Sequence, residues 1–173
     1  SAVKAVRAKM PTVLLDGGTT TYEVARLLVG RPLQIVTNSL PVANLFASNA
    51  TTDLVLLGGY VYPRTGVSLG PYANEMLERL NVRRTVLSVA GINERGFYNS
   101  NLLLVETERA MMKAGEEVIV VADSTKFGHQ SLSHLAPLNE ASQLVVDDGI
   151  SADWKRKVEA AGVRLTIAAT AVG

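Results

Sequence analysis

The sequence contains no cysteine among its 173 residues. A disulfide framework, a thiolate nucleophile and a thiolate metal site are therefore excluded. Long apolar runs are also absent: the longest are a few residues, whereas a helix that crosses a bilayer needs about 20. No charged segment followed by an apolar one opens the chain, as a secretory leader would require. These absences predict a soluble protein without a membrane partner, for which the cytoplasm is the expected compartment.

An excess of charge of one sign is missing as well. The 17 Lys and Arg residues nearly balance the 16 Asp and Glu residues, which leaves a formal net charge of +1. A surface that neutralises many phosphates of a DNA duplex needs a larger positive excess. We therefore do not expect this chain to bind DNA by itself, and a small anion would have to be held by a local site.

Motifs of the common cofactor and metal sites are not present. The two histidines, His129 and His134, lie in one predicted loop without a cluster of acidic ligands, which makes a poor metal site. The sequence has no Walker A motif, no nucleophile elbow and no dinucleotide-binding glycine pattern. It thus predicts no metal, no cofactor and no catalytic residue.

Apolar residues make up 47% of the sequence and form short continuous runs. Such runs are typical of strands buried on both faces, and segments with helical periodicity lie between them. The alternation predicts a three-layer α/β domain, in which helices cover both faces of a mainly parallel, twisted sheet. The strands are predicted at 12–15, 33–36, 54–57, 85–90, 118–122, 144–146 and 163–167.

Apolar spacing and cap residues predict five helices. Gly70 followed by Pro71 is typical of a helix start, and Ser151 is a second expected cap. Segments 92–101 and 123–139 are predicted as long loops, which in compact domains often carry function. The helices are predicted around residues 24–28, 42–46, 72–80, 102–114 and 154–161.

The turn DGGTT, residues 16–20, is the first candidate for chemistry. Gly17 and Gly18 allow a sharp turn, and the amides at the start of the following helix attract an anion such as phosphate. The same residues fit an ordinary turn with a capping box, in which Thr20 and Glu23 each accept a main-chain amide of the other. Both interpretations stay open at this point.

Polar residues and glycines also follow the next strands, at Asn38 and Ser39, at Gly58 and Gly59, and at Gly91. In a parallel sheet these junctions meet at the carboxyl edge, where the crevice for ligands forms. Each residue could by itself be a helix cap. Their joint occurrence favours a small-molecule site.

The fifth strand leads into ADSTKFG, which places Asp123 and Lys126 at the same edge. The lysine can contact a phosphate, and the aspartate can bind a sugar hydroxyl or hold the lysine. A surface ion pair of little energetic effect is the alternative. In the helix 102–114, Glu106 and Arg109 are one turn apart, and a solvated ion pair is the simpler interpretation.

In their order along the chain, these motifs resemble the C-terminal effector-sensing domain of DeoR-family bacterial transcriptional repressors. The resemblance covers roughly residues 10–150. It implies the fold of ribose-5-phosphate isomerases, glucosamine-6-phosphate deaminases and CoA transferases, and a sensor that binds a phosphorylated sugar or a related catabolic intermediate. The motifs are DGGTT (16–20), TNS (37–39), LGG (57–59), SLG (68–70), AGI (90–92), VETERAMMK (105–113) and ADSTKFG (122–128).

The resemblance implies a ligand site without catalytic residues. Glu106 matches the family pattern without an assigned purpose. We expect a homo-oligomer, a dimer or tetramer, because repressors pair to match two half-sites. The implied ligand-binding residues are Asp16, Gly17, Gly18, Thr19, Thr20, Asn38, Ser39, Gly58, Gly59, Gly91, Glu106, Asp123 and Lys126.

The winged helix-turn-helix that precedes the sensor in this family has no counterpart in the sequence. We expect residues 1–11 to be the remnant of an interdomain linker helix and residues 12–173 to be the sensing domain. Operator DNA would then be a partner only through the missing domain. The alternative is a sugar-phosphate isomerase or deaminase of the same fold, which would need a second positioned acid or base; Asp16 and Glu106 are the candidates.

Overall fold

The structure of the protein is a computed structural model that describes residues 10–169. Helices and strands alternate along most of this part of the chain. The helices are α1 (Thr19–Leu28), α2 (Leu40–Phe46), α3 (Pro71–Glu78), α4 (Leu102–Ala114) and α5 (Ala152–Ala160). The strands are β1 (Thr12–Leu15), β2 (Gln34–Thr37), β3 (Asp53–Leu56), β4 (Tyr60–Tyr62), β5 (Val67–Leu69), β6 (Val82–Ser88), β7 (Gly91–Asn93), β8 (Gly96–Asn99), β9 (Gly115–Val121), β10 (Ser133–Ala136), β11 (Gln143–Asp147) and β12 (Arg164–Ala168).

Seven strands form the central sheet. Its order is β12-β11-β9-β6-β1-β2-β3, and every neighbouring pair is parallel. These are the seven strands that the apolar runs predict, with boundaries that differ by at most three residues. The predicted parallel sheet is confirmed.

Side chains of the central strands alternate between two apolar clusters. Val13 and Leu15 of β1 belong to a cluster that includes Ala25 of α1 and Phe46 of α2. Leu14, between them, belongs to the cluster that includes side chains of α3, α4 and α5. This alternation is the period of two of a β-strand, and both of its faces are covered here. The predicted three-layer α/β fold is therefore confirmed.

Two of the predicted helix starts are confirmed and one is wrong. Gly70 precedes α3, which begins with Pro71, and the Ser151 hydroxyl accepts the amide of Trp154 at the start of α5. The capping box of Thr20 and Glu23 does not form, because α1 already begins at Thr19 with Gly18 as its cap residue. The carboxylate of Glu23 instead accepts a hydrogen bond from Arg26.

The two predicted loops contain strands, so that prediction is wrong for much of their length. Strands β7 and β8 lie within or beside 92–101, and β10 lies within 123–139; together they form an antiparallel sheet in the order β10-β8-β7. Strands β4 and β5 form a further antiparallel hairpin. All five strands have only three or four residues, too few to establish an alternating pattern in the sequence.

Strand β1 lies at the point where the direction of the chain across the sheet reverses. The chain passes from β1 to β2 and β3 on one side, and then returns to β6 on the other side of β1. In an open parallel sheet, a crevice forms at such a point beyond the carboxyl ends of the two strands. The residues that follow β1 and that end β6 are therefore the first place to look for a site.

The predicted linker helix at 1–11 falls almost entirely outside the described residues, since the description begins at residue 10. Within residues 10–169, the helices are too short or too polar for any of them to traverse a lipid bilayer.

Glycine at the β7–β8 turn is required by both conformation and space. Gly96 has φ +127°, and a Cβ there would lie 1.9 Å from the carbonyl oxygen of Ala136. Gly30 has φ +86° but no neighbouring atom within 4 Å of its added Cβ. We expect Gly30→Ala to lower the free energy of unfolding by about 1–2 kcal/mol through strain alone. Gly96→Ala should lose about 1–3 kcal/mol more through steric overlap.

Urea unfolding of the two variants beside the parent chain measures both effects. Equal losses would contradict the close contact between Gly96 and β10.

Candidate functional site

The carboxyl group of Asp16 lies where β1 and β6 separate, and it is only 2% exposed. Its Oδ1 atom accepts the amide of Gly18 at 3.1 Å, and its Oδ2 atom accepts the amide of Ser88 at 2.9 Å. The Ser88 hydroxyl lies 3.4 Å from Oδ2. Because Ser88 is the last residue of β6, one carboxyl group connects the turn after β1 to the end of the neighbouring strand.

A second buried carboxyl group, from Glu108 of α4, lies in the same place and is also 2% exposed. Its Oε2 atom accepts a hydrogen bond from Nδ2 of Asn99 at 2.7 Å. The Asn99 side chain also accepts the amide of Ala90 at 2.8 Å and lies 3.4 Å from the Ser88 carbonyl oxygen. Asp16, Ser88, Asn99 and Glu108 thus form one polar network at the carboxyl edge of the sheet.

The two carboxyl groups disfavour each other's ionisation. Burial raises the pKa of Glu108 well above its ordinary value, and the nearby charge of Asp16 raises it further, while the hydrogen bond from Asn99 opposes the shift. Burial also raises the pKa of Asp16, against the hydrogen bonds from Thr21, Ser88 and Gly18. Asp16 has the larger set of donors, so Glu108 is the carboxyl group of the pair that keeps its proton to the higher pH.

These groups line a cavity of about 130 Å³, which we call the inner cavity. A second space of about 280 Å³, the outer cavity, shares Thr65, Val67 and Leu104 with it. The β4–β5 hairpin and α4 therefore stand between the two spaces. The inner cavity is lined by Asp16, Gly17, Gly18, Thr65, Val67, Ser88, Asn99, Leu104 and Glu108, and the outer cavity by Tyr62, Arg64, Thr65, Val67, Leu69, Ser100, Asn101 and Leu104.

Both glycines of the DGG turn are required by their neighbours. A Cβ on Gly17 would lie 2.1 Å from Cγ1 of Val67, and one on Gly18 would lie 2.7 Å from Cβ of Ser88. Close packing of the turn against β5 and β6 thus explains why the sequence has glycine here. As far as residues 10–169 are concerned, no side chain caps α1, so its first amides face the carboxyl edge without such a partner.

The structure brings together the predicted residues of the first turn. Asp16, Gly17 and Gly18 line the inner cavity, and Thr19 and Thr20 are the first two residues of α1.

Asn38 and Ser39 are fully buried next to this turn. The Ser39 hydroxyl accepts the amide of Val42 at 3.2 Å and so caps α2, and Nδ2 of Asn38 donates to the carbonyl oxygen of Ser68 at 3.0 Å. Both side chains hold the turns around the cavity and do not belong to its lining.

Other predicted residues lie apart from the inner cavity. Gly58 and Gly59 line a separate cavity of about 660 Å³ beside α3. Gly91 is buried against the main chain of His129. Glu106 is exposed on α4 and lines a groove against α3, whereas Arg109 donates to the carbonyl oxygen of Leu135 at 2.9 Å instead of pairing with it.

Asp123 and Lys126 lie after β9, at the carboxyl edge of the sheet. The Asp123 carboxylate accepts the amide of Thr125 at 2.9 Å and its hydroxyl, and so caps the 3-10 turn Ser124–Lys126. Lys126 is half-buried, and its amide donates to the carbonyl oxygen of Asp123 at 3.2 Å. Its ammonium group has no hydrogen-bond or ion-pair partner within the described part of the chain. The lining of the inner cavity does not include it.

The sequence contains a signal for Glu108 that motif matching missed. Glu108 is three residues after Val105 and four before Met112, and all three are buried. A glutamate in the apolar stripe of a helix is unusual unless it has a partner. This position distinguishes Glu108 from Glu106, which lies on the exposed side of the same helix.

Residues 1–148 match the model of the family described as DeoR C terminal sensor domain. The chain belongs to this family. The match extends over most of the sequence and includes Asp16, Ser88, Asn99 and Glu108, so the network lies within the family domain.

Two curated relatives of this DeoR-type sensor domain are named as transcriptional regulators. The chain is 35% identical over 142 residues to the transcriptional repressor AccR of Agrobacterium fabrum, which covers 80% of the chain and 55% of AccR. It is 29% identical over 146 residues to the L-fucose operon activator of Haemophilus influenzae, which covers 84% of the chain and 59% of that protein. The chain thus spans less than two thirds of the length of these relatives.

The fold is shared with solved structures outside the family. The chain aligns with eIF2B beta from Chaetomium thermophilum with a TM-score of 0.52 and 13% identity, over 82% of this chain and 47% of that one. At this identity the likeness concerns the fold alone.

A shared proton makes stability depend on pH. Because the pKa of Glu108 is raised in the folded sensor domain, its contribution is fully present below the ordinary glutamate pKa and is lost as pH rises through the folded value. We expect parent stability to fall over this interval, by up to about 1.4 kcal/mol per pH unit. Glu108→Gln should remove most of this slope and be more stable than the parent at the alkaline end.

Denaturant unfolding at a series of pH values measures the slope. Glu106→Gln, on the exposed side of the same helix, is the matched control and should follow the parent. A Glu108→Gln profile parallel to the parent profile would contradict the buried acid.

Proposed function

We propose that this chain is the effector-sensing domain of a DeoR-type transcriptional regulator, and that a phosphorylated sugar or a related catabolic intermediate binds between β1 and β6. The observation that carries the proposal is the polar inner cavity at the reversal point of the sheet, in a domain of a family named for sensing. In the full-length protein, ligand binding would modulate the affinity for operator DNA through a domain outside this chain.

The chemistry of the two cavities supports a ligand with a polyhydroxylated end and an anionic end. Carboxyl, hydroxyl and amide groups of the inner cavity are suited to sugar hydroxyls. The phosphate would lie outside this cavity, where α1 begins at Thr19 and the amides attract an anion. Two cations are available nearby: Lys126 at the same edge of the sheet, and Arg64 in the outer cavity.

The relatives support sugar metabolism as the context. One is named as an activator of an L-fucose operon and another as a repressor. Because an activator and a repressor share this domain, the proposal concerns the binding of the effector. It applies whether binding releases the regulator from the operator or recruits it there.

Binding must favour one arrangement of the domain or of an oligomer over another, because equal affinity for both shifts nothing. A ligand in the inner cavity would contact the β4–β5 hairpin and α4 together. Helix α4 is also connected to α3, since the Thr107 hydroxyl accepts the amide of Gly70 at 3.2 Å and donates to Asn74 at 2.7 Å. A 100-fold change in operator affinity needs about 2.7 kcal/mol of coupling.

Thermal unfolding with a panel of phosphorylated sugars tests the proposal. A ligand at 100 times its dissociation constant should add about 2.7 kcal/mol to the free energy of unfolding. The corresponding unphosphorylated sugars should protect far less. Equal protection by both forms would remove the phosphate from the proposal, and no protection by any of them would reject the sensor.

Lys126→Ala tests the place of the phosphate. We expect it to weaken protection by the sugar phosphate that stabilises the parent by at least tenfold in apparent affinity, since one charge-assisted contact is lost. Lys155→Ala, another half-buried lysine on α5, should bind as the parent does. If both variants bind equally well, the phosphate lies elsewhere, and Arg64→Ala is the next variant to measure.

One observation favours a second candidate function. A sugar-phosphate isomerase or deaminase needs two positioned acid or base groups, and the pair formed by Asp16 and Glu108 supplies them where Glu106 would not. Incubation of the domain with ribose 5-phosphate and glucosamine 6-phosphate, followed for product, distinguishes the two functions. Sustained turnover that disappears in Glu108→Gln would favour the enzyme.

A further inference from the structure

We propose that Glu108 and Asp16 act together as the specificity-determining pair of this site: they admit the neutral, hydroxylated end of a sugar chain and reject a ligand that carries a carboxylate at that end. The inference rests on the proposed function, because it concerns which phosphorylated compounds the site accepts. Its basis is the placement of two buried carboxyl side chains from different elements in one small cavity.

The size of the inner cavity limits what can enter it. Its volume of about 130 Å³ corresponds to the liquid volume of roughly four water molecules. One or two hydroxylated carbons fit such a space, and the remainder of a sugar chain with its phosphate would extend out of the cavity towards the start of α1. The carboxyl pair therefore contacts the end of the ligand that is opposite to the phosphate.

The hydrogen-bonding capacity of the pair matches a hydroxyl group. Asp16 accepts a main-chain amide on each of its oxygens, and its other partners are the hydroxyls of Ser88 and Thr21 and the carboxyl group of Glu108. A ligand hydroxyl can take the place of one of these side-chain partners. Glu108 accepts from Asn99 on Oε2, and its protonated form has one donor of its own. A hydroxyl group donates and accepts at once, so it can bind both carboxyl groups. A carboxylate only accepts, and it finds no donor at Asp16.

The charge of the inner cavity also favours a ligand hydroxyl group over a ligand carboxylate. The inner cavity is faced by Asp16 from the turn after β1, by Ser88 from β6, by Asn99 from β8 and by Glu108 from α4, and the hairpin contributes Thr65 and Val67. Within the described residues this lining includes no cation; Arg64 lines only the outer cavity. A ligand carboxylate would lie beside ionised Asp16 with little water to screen the repulsion. Burial raises the pKa of Glu108, and the charge of Asp16 raises it further, which is the same like-charge effect within the protein.

Matched pairs of ligands test the inference on the whole chain. Each pair consists of an aldose phosphate and its aldonic acid phosphate, such as glucose 6-phosphate with 6-phosphogluconate and ribose 5-phosphate with 5-phosphoribonate. Apparent affinities are measured by titration in thermal unfolding and by calorimetry at pH 7. For pairs in which either member binds, we expect the aldose phosphate to bind at least tenfold more tightly.

Two variants assign the preference to the pair. Glu108→Gln keeps one donor and one acceptor without a titratable proton, so its preference for the aldose phosphate should persist and become independent of pH, whereas the parent should bind more weakly as pH rises. Asp16→Asn removes the fixed negative charge, so the affinity ratio should fall towards one. If Asp16→Asn does not fold, the ratio of the two affinities measured on the parent chain tests the inference by itself.

The outcomes separate the inference from the proposed function. Equal or tighter binding of the aldonic acid phosphates by the parent overturns the inference and leaves a phosphate-sensing domain in place. Absence of binding by every phosphorylated compound rejects the sensor itself, and the inference with it.

Discussion

Burial of the Asp16 carboxylate between β1 and β6 is the constraint on which the rest of the site depends. An ionised group with so little exposure must have its oxygens satisfied, and the main-chain amides of Gly18, in the turn after β1, and of Ser88, at the end of β6, do this. The shape of the DGG turn, the start of α1 and the separation of the two strands follow from this arrangement. Burial raises the pKa of Glu108 and the charge of Asp16 raises it further, so the electrostatics of the cavity depend in part on the same group as its geometry.

The fold could be predicted from the sequence because both of its signals are local. Continuous apolar runs such as TVLL mark strands covered on both faces, and Gly70 with Pro71 marks a helix start. The site could be predicted only in part. Asp16 and Ser88 are 72 positions apart in the sequence, and Asn99 lies in a strand of only four residues. These residues come together only because of the order of the strands in the sheets. Glu106 follows from a motif, whereas the helical phase of the buried residues indicates Glu108. The role of Glu106 in ligand binding stays a prediction.

Polar residues at strand ends have two uses in this domain, and the structure distinguishes them. The side-chain oxygen atoms of Ser39, Asp123 and Asn101 accept hydrogen bonds from main-chain amides at the starts of helical segments. Asp16 also accepts an amide two residues ahead, as a cap would, but it faces a cavity and a second carboxyl group. Its partner across the cavity, and not its residue type, makes it a candidate for ligand recognition. Whether a polar turn residue is structural or functional is therefore decided by elements distant in sequence.

The position of the β4–β5 hairpin would affect the rates of ligand association and dissociation as well as the affinity. Thr65, Val67 and Leu104 line both cavities, so a molecule that moves from one cavity to the other would pass side chains of the hairpin and of α4. Association and dissociation would then slow together, with no change in the equilibrium between them. A regulator with such a barrier would respond to the average concentration of its effector over the residence time, and brief fluctuations in metabolism would leave its operator occupancy unchanged.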